Sequence, residues 1–133
     1  MGNDFSIVLV RYINSFDLPL QVRLDYFNDN EDDLVVNPIP GGKVDKQYMD
    51  GTKEVSLPFE IAVKSKSSEF ANGLIWTIND ALSLFDLELP SQNNSYIFLN
   101  LEVEKPAING KDSQGFFVYT LGLTAKIEIE EII

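Results

Sequence analysis

Carboxylates are the side chains of this sequence whose spacing could support catalysis. Glu102 and Glu104, and likewise Glu128 and Glu130, stand two residues apart in runs where polar and apolar residues alternate. Residues two apart on a strand share one face at roughly 7 Å, a separation that a glycosidase could use. Because both pairs alternate with core-type residues, we interpret them instead as the solvent face of a sheet.

A second acidic group, residues 28–33, resembles the start of a calcium-binding loop. A helix-loop-helix calcium site has a glycine at its sixth position and a glutamate at its twelfth. Counting from Asp25 or from Asp29 finds neither residue at those positions. We therefore predict a solvated turn here and no metal ligands.

The residue types that most enzymes need are missing. The 133 residues include no histidine and no cysteine, which excludes Ser-His and Cys-His dyads and zinc sites built on either residue. Gly41-Gly42-Lys43 has neither the upstream glycine nor the following Ser or Thr of a phosphate-binding loop. We expect no catalytic residues, no cofactor and no enzyme activity.

The charge balance limits the partners of the chain. Ten basic and 21 acidic residues give a net charge of −11 at pH 7. Such a chain repels nucleic acid within about a Debye length, roughly 8 Å at physiological salt, so we expect no specific DNA binding. No apolar run approaches the roughly 18 residues of a membrane span, so we expect no membrane association. The length predicts one domain, residues 1–133.

Apolar residues at helical spacing predict two helices. The first follows a cap at Asn3 or Asp4 and ends at residues 17–19, where a proline disfavours the helical region for the residue before it. The second begins at residues 67–69 and runs through Phe85, ending before Leu89.

Alternating and β-branched runs predict six strands. Asp50-Gly51 predicts a type I′ turn in a long hairpin, and Pro58, which cannot donate a ladder hydrogen bond, indicates a sheet edge or a bulge. The predicted strands are residues 21–27, 34–39, 43–49, 52–66, 96–105 and 116–130, with a loop at 106–115. We expect an α+β fold, a two-layer sandwich in which both helices pack on one face of a mostly antiparallel sheet.

Four large side chains are candidates for an interface. Tyr48 and Met49 come directly before the predicted hairpin turn, where the chain itself has little surface to cover them. Phe116 and Phe117 are consecutive, so a regular strand turns only one of them toward the core. We predict that these four residues contribute to an oligomer or partner interface.

Four segments form an ordered series: residues 48–53 (YMDGTK), 57–61 (LPFEI), 87–90 (LELP) and 115–119 (GFFVY). The series resembles the minor capsid or tail terminator family of long-tailed bacteriophages, which has a DG hairpin, a PF strand, a helix closing on LDLP and a last strand of the GYYVY type. The resemblance covers roughly residues 45–130.

The resemblance implies a structural virion protein that forms a ring, usually of six copies, at the head-tail junction. Its partners would be the tail tube protein and the head-connector protein, and DNA would pass through the lumen without specific binding. The protein would be made in the cytoplasm of the bacterial host. Two other interpretations stay open: another head-tail joining protein, or a non-catalytic binding module of the cytosol.

Overall fold

The described part of the protein contains two helices and six strands. The computed structural model describes residues 4–28, 31–84 and 87–130. In chain order the elements are α1 (Phe5–Asn14), β1 (Asp33–Pro38), β2 (Lys43–Gln47), β3 (Thr52–Ser65), α2 (Ser68–Leu82), β4 (Ile97–Val103), β5 (Ala107–Lys111) and β6 (Phe117–Glu130).

Helix α1 begins after Asp4, whose side chain does not cap it. The Asp4 carboxylate accepts hydrogen bonds from Ser91 Oγ at 2.8 Å and from the Gln92 backbone N–H at 2.9 Å. The predicted capping by Asp4 is therefore wrong, because donors from the distant loop occupy the carboxylate. Asn3, the alternative cap, lies outside the described residues.

Helix α1 ends at Asn14, earlier than predicted. The Val22 backbone N–H donates to Asn14 Oδ1 at 2.8 Å, and Asn14 Nδ2 donates to the Val22 carbonyl at 3.2 Å. Asp17 has a φ of 54°, in the left-handed region that does not continue a helix. The helix end is thus fixed by a side chain that turns back toward the following segment.

Helix α2 starts as predicted, with Ser67 as its cap. The Ser67 side chain accepts a hydrogen bond from the Phe70 backbone N–H at 3.2 Å. The helix ends at Leu82, where the Ser83 N–H closes a tighter turn on the Asp80 carbonyl at 3.3 Å. It therefore stops short of the predicted end, and Phe85 lies outside the described residues.

The sheet is built on one long antiparallel pair. Strands β3 and β6 have fourteen residues each and pair from Thr52 opposite Glu130 to Ser65 opposite Phe117. Strands β1 and β2 pair with the other side of β3, and β4 and β5 with the other side of β6, all antiparallel. The predicted mostly antiparallel sheet is confirmed.

Pro58 lies at a position where β3 is paired with a strand on one side only. Strand β2 ends its pairing at Ser56 and β1 begins its pairing at Phe59, so Pro58 has its strand partner, Thr124, on the β6 side. A residue without a backbone N–H fits this gap. The prediction of an edge position therefore holds locally, although β3 is a central strand.

Two predicted elements are wrong. Residues 21–27 do not form a strand but make one isolated bridge, between Arg23 and Val35. The predicted loop at residues 106–115 contains strand β5, which pairs with β6. All five residues of β5 are exposed, so the alternation that marks a half-buried strand is missing from its sequence.

Both helices pack on one face of the sheet. The Phe5 ring of α1 lies 5.4 Å from the Phe59 ring of β3, and the Tyr12 hydroxyl of α1 donates to the Ala81 carbonyl of α2 at 2.9 Å. The core-facing residues of the central strands join the same cluster: Val55, Phe59, Ile61, Val63, Leu121, Leu123, Ala125 and Ile127. This arrangement confirms the predicted α+β sandwich.

The opposite face of the sheet carries a buried lysine. Lys64 is 3% exposed, and its ammonium lies 4.5 Å from the centre of the Phe116 ring and 5.5 Å from that of Phe27. The same ammonium donates a hydrogen bond to the Asn28 carbonyl. Lys64 therefore attaches the segment before β1 to the face of the sheet that has no helices.

Candidate functional site

The hairpin between β2 and β3 ends in a tight loop of three residues. The Tyr48 N–H donates to the Thr52 carbonyl at 2.8 Å, and the Gly51 N–H donates to the Tyr48 carbonyl at 3.1 Å. Gly51 has a φ of 93°, whereas Asp50 is not among the residues with positive φ. The predicted type I′ turn is wrong, because the geometry is that of a three-residue loop with one left-handed glycine.

Asp50 stabilises this loop through its side chain. Its Oδ1 accepts a hydrogen bond from the Thr52 backbone N–H at 3.0 Å, and this bond holds the pKa of Asp50 below its usual value. Both backbone and side-chain hydrogen bonds therefore close the loop. They hold the backbone that carries the two large side chains, Tyr48 and Met49, in one conformation.

Tyr48 and Met49 lie at the end of this hairpin. Met49 is fully exposed and Tyr48 is 46% exposed. The Tyr48 hydroxyl donates to Glu54 Oε2 at 2.5 Å, and this hydrogen bond raises the pKa of Tyr48. Tyr48 is thus held against β3 while Met49 projects, an arrangement that suits contact with another molecule.

Phe116 and Phe117 lie at the other end of the sheet. Phe117 pairs with Ser65, whereas the hairpin end of β3 begins at Thr52. Phe116 is 3% exposed beneath Lys64, and the half-buried Phe117 has the Lys111 ammonium 5.2 Å from its ring centre. The structure therefore brings Tyr48 and Met49 together and separates them from the two phenylalanines.

An apolar groove beside β4 was not predicted from the sequence. A bulge between Phe98 and Asn100 shifts the register with β6, so that Phe98 packs on the core while Ile97 and Leu99 are exposed. In the predicted strand at residues 96–105, the apolar residues Ile97, Leu99, Leu101 and Val103 alternate with other residues, which predicts that all four face the core. This prediction is wrong for Ile97 and Leu99, because the extra residue of the bulge breaks the alternation.

The groove has a volume of about 360 Å³ and lies between the end of α2 and strand β4. Its most exposed apolar residues are Leu84 and Leu99, and it also includes Leu82, Leu87, Leu101 and Val103. The only sequence signal for it was the run of leucines after α2, which alone does not reveal exposure.

Several acidic residues make internal contacts. Glu102 pairs with Lys126 at 3.3 Å, Asp32 accepts a hydrogen bond from Ser65 Oγ at 2.9 Å, and Asp33 pairs with Arg23. Across the described residues, no group of three or more carboxylates, histidines or cysteines is placed to hold a metal ion. Nor does any described helix have the length and apolar character that crossing a membrane requires.

Comparison with known proteins supplies the deciding observation. The model of a bacteriophage tail terminator protein family matches residues 9–129, which is most of the chain. The chain belongs to this family. A search of curated proteins gave no match.

Membership of the tail terminator family confirms the resemblance seen in the sequence and extends it toward the N-terminus, since the match includes α1 from residue 9 onward. Tail terminators are structural proteins of the virion, which places this protein in the phage tail among other virion components. The exposed hairpin tip and the groove beside β4 are therefore candidate assembly surfaces.

Proposed function

We propose that this tail terminator forms a closed ring, of six copies, that caps the tail tube and joins it to the head connector. The observation that carries the proposal is the match of the tail terminator family across residues 9–129. Exposed apolar residues at the hairpin tip and beside β4 support it, because a monomer that functions alone rarely displays such surfaces. The protein acts by assembly, without catalysing a reaction.

In this proposal the hairpin tip contacts a neighbouring virion protein. Met49 supplies a flexible apolar side chain, and Tyr48 supplies an aromatic side chain whose hydroxyl is already bonded to Glu54. A side chain that is already held in place loses little conformational freedom when a partner covers it. Phe117 offers a second contact at the far end of the sheet, and the buried Phe116 supports that end from within.

Passage of DNA through the ring is compatible with the charge of the subunit. A 133-residue globule has a radius near ~18 Å, and six in a ring leave a lumen of ~36 Å. The net charge of −11 disfavours attachment of the passing DNA. Five lysines of the long hairpin region, residues 43, 46, 53, 64 and 66, are the local exception, but Lys64 is buried within the subunit.

The test is a tail-assembly assay with a hairpin-tip variant. Tyr48→Ser combined with Met49→Ser should leave circular dichroism and thermal melting nearly unchanged, because both side chains are exposed. Added to extracts that make tail tubes but lack this protein, the variant should fail to give capped tails joined to heads, as seen by electron microscopy. Ile108→Ser is the matched control, because Ile108 is 55% exposed on β5, away from the tip.

Normal assembly by the tip variant would show that the hairpin tip is not a contact. Wild-type protein that never forms rings, alone, with magnesium or on tail tubes, would contradict the ring itself.

A further inference from the structure

Two strands at the hairpin end of the sheet have one open side each in the described structure. Strand β2 pairs with β3, and β4 pairs with β6. The pairings form a continuous row across the sheet: Val44 lies opposite Val55, Val55 opposite Ile127, and Ile127 opposite Phe98. The two open edges therefore lie on opposite sides of one subunit, at the same level.

The directions of these strands are matched for joining. Strand β2 is antiparallel to β3, β3 to β6, and β6 to β4, so β2 and β4 run in opposite directions. When a second copy is placed beside the first in the same orientation, its β2 meets the open edge of β4 as an antiparallel neighbour. Antiparallel pairing satisfies the backbone N–H and C=O groups of both edges.

The side chains at the two edges are also complementary. On one edge Val44 is 51% exposed, and on the other Leu99 is 40% exposed in the same groove as Leu84, which is 51% exposed. Edge strands of monomers usually carry lysine or proline to prevent pairing, yet β4 (IFLNLEV) has neither. Leu99 is the extra, unpaired residue of the bulge in β4.

Charge distinguishes the two edges in the same sense. Strand β2 carries exposed Lys43 and Lys46 against one acidic residue, Asp45, which lies 3.9 Å from Lys43. Exposed Glu102 and Glu104 lie on β4 and immediately after it, and Glu102 also pairs with Lys126. In a chain with a net charge of −11, the excess of lysine over aspartate on β2 reduces the repulsion that opposes association.

We infer that the sheet continues from one subunit to the next, with β2 of one copy paired to β4 of its neighbour and Val44 seated against Leu99 and Leu84. This inference rests on the ring proposed above and identifies its interface. Because the two edges differ, the contact is heterologous, and a heterologous contact whose rotation closes produces a ring. The hairpin tip then projects beyond the shared sheet and stays available for a different partner.

The test uses charge variants at the two edges. Val44→Glu and Leu99→Lys should each reduce self-association roughly tenfold or more, because each places a charge in an apolar contact. The measurement is sedimentation over a range of protein and magnesium concentrations, with electron microscopy of tail tubes. Circular dichroism and melting should be near wild type, since both residues are exposed in the subunit. Ile108→Lys on β5 is the matched control and should assemble normally.

Mixing the two single variants distinguishes this interface from others. In an equimolar mixture, the two variants can alternate around the ring. Half of the contacts between copies then join Val44 to Leu99, and the other half join the new glutamate to the new lysine. The mixture should therefore recover rings that neither variant forms alone, and so should the double variant.

Rings formed at wild-type strength by Val44→Glu or Leu99→Lys would overturn this interface while leaving the proposed ring intact. Failure of the mixture and of the double variant to recover rings would also overturn it. Absence of rings from the wild-type protein under every condition would contradict both the interface and the proposed function.

Discussion

Replacing Lys64 with methionine tests the buried lysine on the helix-free face of the sheet. The change keeps an unbranched chain of similar length but removes the ammonium. The hydrogen bond to the Asn28 carbonyl and the two ring contacts, with Phe27 and Phe116, are lost. A hydrogen bond to a charged group contributes about 1.5–3 kcal/mol, and each ring contact about 0.5–1 kcal/mol.

Part of that contribution is offset, because the variant no longer keeps a charge out of water. We expect Lys64→Met to lower the free energy of unfolding by about 1–2 kcal/mol, and the melting temperature by about 3–6 °C for a domain of this size. Protease should also cleave the segment before β1 faster, since Lys64 attaches that segment to the sheet. Thermal melting and limited proteolysis measure the two effects.

Lys66→Met is the matched control. Lys66 is exposed and its ammonium lies 5.3 Å from the centre of the same Phe116 ring, so its replacement should cost about 0.5 kcal/mol or less. If Lys64→Met is as stable as the wild type, or if the two variants lose the same stability, the reasoning about the buried ammonium is refuted.

Three further outcomes are expected. Although partial burial acts to raise it, hydrogen bonds from Ser91, Gln92 and Ser95 lower the pKa of Asp4. The Asp4→Asn variant should therefore unfold at a lower urea concentration than the wild type at pH 7. This difference in stability should vanish as the pH falls below about 4 and through the lowered pKa of Asp4, because the carboxylate then becomes neutral. Gly51→Ala should destabilise the protein by about 1 kcal/mol in thermal melting, since a φ of 93° strains any residue with a Cβ. Unchanged melting would contradict the loop geometry. Labelled duplex DNA should bind more weakly than about 10⁻⁴ M at physiological salt, and tight binding with a steep salt dependence would disprove the repulsion argument.

The long central strands were predictable because their sequence carries the burial pattern. Tyr119, Leu121, Leu123, Ala125, Ile127 and Ile129 all pack on or against the core, as their alternation predicts. The same logic failed where the backbone departs from regular geometry. In β4 a single bulge changes the face of Leu99, and a bulge leaves no mark in an alternating sequence.

Exposed strands carry no burial pattern: β2 was predicted only because it precedes the Asp50-Gly51 turn, and β5 was not predicted. Strand β5 forms because its backbone pairs with β6, although its side chains are exposed. Residues 21–27 have β-type composition, yet Arg23 and Asp25 pair with each other and the backbone bends at residues 24 and 25 instead of continuing as a strand. For the candidate site, the hairpin tip was visible as large residues beside a turn, whereas the groove depends on long-range packing between α2 and β4.

The central pairing of β3 with β6 also sets the order in which the subunit is completed. Thr52 lies opposite Glu130, so the pair joins segments separated by α2, β4 and β5. Contacts between segments so distant in sequence form slowly, because the intervening chain loses entropy before they are made. Since β4 and β5 both pair with β6, the ladder of β4 cannot form before β6 has been synthesised and has emerged from the ribosome. A nascent chain therefore has a finished β2–β3 hairpin well before it has a structured β4 edge, and with the inferred contact between β2 and β4 of neighbouring copies, association would wait until the subunit is folded.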